Sequence, residues 1–352
     1  MPPDKCGTQE IRKSTKSGGD FTTLSGSVPE FLISTLVFQS LLNRNKDTID
    51  RTLVFSRGRF NLGGHRMIPE IPIENFSIFA SNLDHPECLA FDRHGNLWAG
   101  GEAGQIYRID GEGRVTVVTN LGSFCAGLAF SPADELFVCN PALGIVRVAA
   151  DGRHAVFASQ GGGKKLLSPN YGLFDSAGNY YVTDSGQWQK RNGRLLRFTP
   201  AGDGKILADA LGYANGLALS ADEQSLFMVE SDTDSVLRFA LDFHGAIGAP
   251  EIHAAECGRF PDGLTLDCEG NLYVCCYASD EIWWISPAGE KRLLAWDRWA
   301  IRLGSPTNMA FGGPEMDVLY VCNLARTTIT RARIGRKGQP LANQKVIHHA
   351  KT

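Results

Sequence analysis

The chain has 352 residues, of which 43% are hydrophobic and 21% charged, and its net charge is −3. This is globular composition with enough chain for a large core, and it lacks the Lys/Arg runs of a nucleic-acid surface. No stretch reaches the roughly 18 apolar residues of a membrane span, so no span is expected.

In chain order, residues 1–30 are rich in Gly, Ser, Thr and Lys and read as disordered. Residues 30–42 are apolar and predict a short helix, too short to cross a bilayer. Residues 43–66 carry Arg and Asn with little periodicity, so residues 1–66 read as an N-terminal extension. Regular patterning starts at Met67 and predicts a folded domain over 67–340, with a C-terminal tail over 341–352.

Within that domain one phrase recurs six times: PECLAFD, CAGLAFS, PNYGLFD, ANGLALS, PDGLTLD and PTNMAFG. Equivalent positions hold Glu87, Ala126, Asn170, Asn215, Asp262 and Thr307, at spacings of 39 to 47 residues. That period, with several strand signals per unit, predicts an all-β, six-bladed propeller of four-stranded blades. In the first unit CLAFD and NLWAG are strands joined by the turn Asp92–Gly95, followed by QIYRI and VTVVTNL. The sixth unit lacks an outermost strand, and the segment Asn75–Leu83 resembles the missing one. Pairing them closes the ring with an N-terminal strand and leaves no exposed edge.

Blade symmetry brings equivalent positions together around one axis. Glu87, Asn170, Asn215 and Asp262 enter their first strands at the same end and should meet at one mouth. Two carboxylates and two carboxamides form an oxygen set suited to a hard divalent cation, calcium first, with zinc or manganese as alternatives. A second ring, at the start of each loop after the second strand, holds Asn140, Asp184, Glu230 and Asn323. Asp184 and Glu230 could bond the ligands or receive substrate hydroxyls. The loop after Asp184 is long and carries Trp188 beside Lys190 and Arg191, which suggests a lid. The cysteines number nine and lie in apolar runs, so they read as reduced thiols in a cytoplasmic protein.

The phrases HPECLAFD, SPNYGLFD, YANGLALS and FPDGLTLD resemble those of the regucalcin, gluconolactonase and luciferin-regenerating-enzyme family, over roughly residues 70–335. The resemblance implies a six-bladed propeller that holds a divalent cation through Glu87, Asn170, Asn215 and Asp262 and opens lactones. It also implies that Asp262 is the general base. Where the family has Asp-Gly after the third-blade Asn, this chain has Tyr171-Gly172, and its second blade offers only Cys125-Ala126. Two other readings share the same residues: a non-catalytic calcium-binding propeller, and a hydrolase of organophosphate or aryl esters.

Overall fold

The computed structural model describes residues 68–345 apart from 243–244. The expected helix at 30–42, the extension 1–66 and the end of the tail lie outside the described residues. The described residues belong to the unit Met67–Thr352.

Six four-stranded antiparallel sheets are present among the described residues, arranged as the blades of a β-propeller. Blade one comprises Leu89–Phe91, Leu97–Gly100, Gln105–Ile109 and Val115–Asn120. Blade two runs from Leu128 to Ala158, blade three from Pro169 to Leu211, blade four from Ala214 to Ala254 and blade five from Pro261 to Trp296. Blade six takes Pro306–Gly312, Val318–Asn323 and Thr328–Arg333 from the end of the chain. Its outermost strand is Ser77–Ser81, which pairs with the third through Ser77↔Arg331 and Ser81↔Thr328. Arg331 lies 4.6 Å over the Phe79 ring, and Phe79 meets Tyr320 edge-on at 4.9 Å, so the closing seam is packed as well as hydrogen-bonded.

Burial falls outward along each blade. In blade two every residue of Leu136–Asn140 is buried, whereas His154–Ala158 is mostly exposed. The second strands are therefore buried along nearly their whole length rather than alternating, because neighbouring blades cover both faces. The first turn of alternate blades is set by the pattern Asp-x-x-Gly-Asn. Asp92 Oδ1 accepts from the Asn96 N–H at 2.9 Å, and its Oδ2 accepts from Trp98 Nε1 at 2.9 Å. Asp267 makes the same bonds with Asn271 and the Tyr273 hydroxyl. Gly95 and Gly270 take the positive φ that these turns need, +82° and +79°.

At the axis the first strands approach one another closely. A Cβ on Gly216 would lie 2.6 Å from the Asp262 carbonyl oxygen, and one on Gly263 would lie 2.5 Å from that of Thr307. Gly127 stands in the same way against Asn170. Each of these glycines directly follows one of the six equivalent positions and rests on the next one around the ring. The remaining three places hold Cys88, Tyr171 and Asn308. Asn308 Nδ2 lies 2.9 Å from Cys88 Sγ, and the Asn308 side chain bonds Tyr171, so these larger side chains meet where three blades lack a glycine.

The C-terminal segment is a finding that polar composition concealed. Residues past Ile334 return across the end of the channel opposite Glu87 and Asp262. The Gln339 N–H donates to the Leu266 carbonyl at 3.0 Å, and Gln339 Nε2 donates to that of Leu219 at 2.9 Å. A short helix, Ala342–Lys345, buries Asn343, whose Nδ2 donates to the Phe91 carbonyl at 3.0 Å. Lys345 pairs with Glu223 at 3.1 Å. Between this segment and the ends of the first strands lies a cavity of about 70 Å³, lined in part by Tyr171, Leu264 and Met309.

Because the backbone of the next blade lies against Gly216, Gly216→Ala should overpack the axis. We expect a loss of about 1–3 kcal/mol in urea unfolding. Gly111→Ala, at a position with nothing near its Cβ, should be close to neutral. Equal stability of the two variants would contradict the close approach.

Candidate functional site

Each candidate ligand sits where a connection from the preceding blade turns into a first strand. Asn215 and Asp262 are the second residues of Ala214–Leu219 and Pro261–Leu266, and Asn170 is the second of Pro169–Phe174. Glu87 lies two residues before Leu89–Phe91, its N–H bonded to the Gly100 carbonyl at 3.3 Å. Glu87, Asn215 and Asp262 are buried and Asn170 is half-buried.

The side chains of Asn215 and Asp262 are hydrogen-bonded, and the charges of Asp262 and Glu87 act on each other. Burial, the larger cause, and the charge of Glu87 hold the Asp262 carboxyl well above the ordinary range. Burial likewise pushes Glu87 up to about 8, against relief from Thr307. The Thr307 hydroxyl also donates to the Glu87 carbonyl at 2.6 Å, so the sixth blade positions the first blade's ligand. Among the described residues, buried Glu87 Oε2 has no hydrogen-bond partner. Two buried carboxyls driven toward protonation, one with an orphaned oxygen, are a donor set that a cation would satisfy.

Serine hydroxyls fasten this mouth between blades. Ser185 donates to the Ala214 carbonyl at 2.7 Å, and Ser231 donates to that of Pro261 at 2.6 Å. Asn215 Nδ2 donates to Ser231 Oγ at 3.3 Å, which links the ligand to this brace.

The second ring is placed differently from expectation. Its side chains are buried and bonded to protein groups. Asp184 pairs with Arg194 and accepts from the Leu167 and Ser168 N–H groups at 3.0 and 2.5 Å. Asn140 Oδ1 accepts from the Ser123 hydroxyl and the Ala142 and Leu143 N–H groups. Asn323 accepts from the Gly304 N–H and donates to Thr330 Oγ1. Glu230 accepts from the Gly212 N–H at 2.6 Å and the Thr233 hydroxyl at 2.8 Å, and pairs with Arg191 at 3.2 Å. This ring ties each loop to the connection that precedes the adjoining strand. Buried polar groups at a loop base need partners, and the backbone there supplies them.

Trp188 reaches the neighbouring blades. Its ring stacks on Phe260 at 4.7 Å and 21°, and meets Tyr213 edge-on at 5.3 Å. Phe260 also lies 5.6 Å from Tyr277. Sequence reasoning missed Tyr213, Phe260 and Tyr277. What marks them is visible only in the fold: His85, Tyr213, Phe260 and Ser305 each stand two residues before one of the six equivalent positions. All four have positive φ, between 43° and 57°. Side chains in this region cost of order 1–3 kcal/mol each, so a fourfold recurrence at one rim is a built feature.

The blade-one side of the same mouth is polar. Asp84, His85 and Glu102 bring ligating atoms within 4.8 Å of one another, with His85 Nδ1 at 3.1 Å from Asp84 and 3.2 Å from Glu102. Asp84 Oδ2 also accepts from the Ala103 N–H at 3.0 Å, which fixes the loop. The eight described cysteines are all free thiols, and seven of them are buried. No helix among the described residues is long and apolar enough to cross a membrane.

Comparison with known proteins places this geometry. Residues 86–325 match the profile of the SMP-30/Gluconolactonase/LRE-like region. Pentonolactonase XacC of Haloferax volcanii is 28% identical over 132 residues, 37% of this chain and 44% of that protein. Human regucalcin is 28% identical over 175 residues, 47% and 58% of the two chains. The chain thus spans about half the length of the curated relatives it matches. Among solved structures, a calcium-binding regucalcin from Agrobacterium tumefaciens aligns with a TM-score of 0.64 at 19% identity, covering 78% of this chain and 98% of that one. With the family profile matching residues 86–325, more than half of the chain, the chain belongs to the SMP-30/gluconolactonase/LRE-like family.

Proposed function

We propose that this protein is a divalent-cation-dependent lactonase, with Glu87, Asn170, Asn215 and Asp262 holding the cation and Asp262 acting as general base. The observation that carries this reading is the buried Glu87–Asp262 pair, whose members are held toward protonation at the channel mouth while Glu87 Oε2 has no partner among the described residues. Relatives named as a pentonolactonase and a 6-deoxy-6-sulfogluconolactonase support the choice of reaction. Calcium is favoured because every donor is oxygen and regucalcins are among the relatives, with zinc and manganese as alternatives. The free, mostly buried thiols suit a reducing cytoplasm.

When bound, the cation supplies Lewis acidity toward the ester carbonyl and acidifies water. The chain's own residues do the rest. Asp262 accepts a proton from the attacking water as its oxygen bonds to the carbonyl carbon. Asn215, hydrogen-bonded to Asp262, holds that carboxylate in one orientation. As the ring C–O bond breaks, Asp262 returns the proton to the leaving alkoxide, and a hydroxy acid results. Thr307 bonds both the Glu87 carbonyl and its carboxyl and so holds that ligand in place.

Asp262→Asn should lower kcat/KM by about 100-fold or more, the scale of a lost general base. Glu87→Gln should weaken cation binding, measured by calorimetry, along with turnover. Undiminished hydrolysis by chelator-treated protein would refute the scheme.

The same pair makes stability depend on pH. Without a cation, Glu87 is raised from 4.5 to about 8 and Asp262 is raised too, so the fold binds more protons than the unfolded chain between those limits. Its contribution is complete below the unfolded value and is lost as pH rises toward 8. A cation takes over the role of the protons, so the rise in Tm on adding calcium should grow from pH 5 to pH 8. Thermal scans of wild type and Glu87→Gln check this, and a calcium effect that is flat with pH would count against the site.

A further inference from the structure

We infer that the substrate is a lactone carrying an apolar, preferably aryl, group, and that Trp188, Tyr213, Phe260 and Tyr277 form the wall that receives it. This deepens the lactonase reading above and rests on it.

The wall is one connected set of rings. Trp188 and Phe260 are stacked, Tyr213 lies 5.3 Å from Trp188 and 6.0 Å from Phe260, and Tyr277 lies 5.6 Å from Phe260. All four are half-buried, so each keeps surface for a ligand. The wall adjoins the reacting end of the site. Tyr213 and Phe260 each stand two residues before a proposed ligand, Asn215 and Asp262, and the Tyr277 N–H donates to the Phe260 carbonyl at 3.0 Å.

The rings are held rather than loosely placed. Tyr213 and Phe260 sit at φ 57° and 55°, where an L side chain is strained. The Phe260 N–H is fixed by Asp234 Oδ1 at 2.8 Å, and the Gly212 N–H by Glu230 at 2.6 Å. The Trp188 loop is docked on blade four, because Arg191 pairs with Glu230 and the Gln189 N–H reaches Asp232 at 3.4 Å. Strained positions and a tethered loop converge on an aromatic surface, which is the pattern of a built binding wall.

A polyhydroxylated lactone would need hydroxyl partners beside these rings. The second-ring side chains Asp184, Glu230, Asn140 and Asn323 are already bonded to backbone, hydroxyl and arginine groups of the protein. The polar rim at Asp84, His85 and Glu102 lies on the other side of the mouth. A flat apolar group on the wall would leave the lactone carbonyl directed toward Asp262 and Glu87, and the charged rim open to water.

The test compares dihydrocoumarin with D-glucono-1,5-lactone in calcium-supplemented wild type, Trp188→Ala, Trp188→Phe and Phe260→Ala. The wild type should favour dihydrocoumarin at least tenfold in kcat/KM. The Trp188→Ala and Phe260→Ala variants should cut that preference tenfold, mainly through KM, and Trp188→Phe should restore it. A wild type that favours gluconolactone, or variants that leave the ratio unchanged, would overturn the wall. Calorimetric binding of coumarin needs no turnover and separates the two readings. Binding by wild type that weakens in Trp188→Ala supports the wall even if no lactone is hydrolysed, an outcome that would sink the lactonase reading alone. Failure of wild type to bind coumarin overturns the wall even if sugar lactones are opened.

Discussion

The rest of the structure depends on how closely the first strands meet at the axis. At three of the six junctions a glycine lies against the next blade's backbone at the carbonyl of Asn170, Asp262 or Thr307, with no room for a methyl group. At the sixth-to-first junction the Thr307 hydroxyl makes the link through the Glu87 carbonyl. The positions that carry oxygen donors are thus set by main-chain packing and not by flexible side chains alone. Interiors packed at crystal-like density transmit such placement with little slack. Residues far apart in sequence can then form one site because each blade indexes the next.

Two kinds of chemistry meet on this frame. Inside the mouth, burial makes charge costly, and the Glu87–Asp262 pair stores that cost. Outside it, blades three to five offer rings while blade one offers Asp84, His85 and Glu102. The ring of blades is nearly symmetric, but its rim is not. The asymmetry comes from residues two before the equivalent position, where Tyr213 and Phe260 face the contrast of His85 and Ser305.

The fold was legible because its signals are local and repeated. The Asp-x-x-Gly-Asn turns, the apolar inner strands and the strand-like segment Asn75–Leu83 all carry their meaning in a few adjacent residues. The placement of Glu87, Asn215 and Asp262 at one mouth followed from symmetry. What escaped the sequence depends on who bonds to whom. Asp184 has the chemistry to hold a substrate hydroxyl, but the fold gives it Arg194 and two N–H groups first. KGQPLANQ has a polar tail's composition, yet Asn343 and Gln339 find carbonyls on three blades. Tyr213 and Phe260 were hidden in connections, where no periodicity marks a left-handed residue.

The axis is occupied beneath the site by Cys88, Tyr171 and Asn308, and beyond them the returning C-terminal segment covers the far end. Among the described residues the channel is therefore a well covered at its far end. A ligand that enters past the aromatic rim leaves by the same route, and on the lactonase reading the product would carry its new carboxylate past Glu87 and Asp262 on the way out. On the lactonase reading, product and incoming substrate would share that single passage.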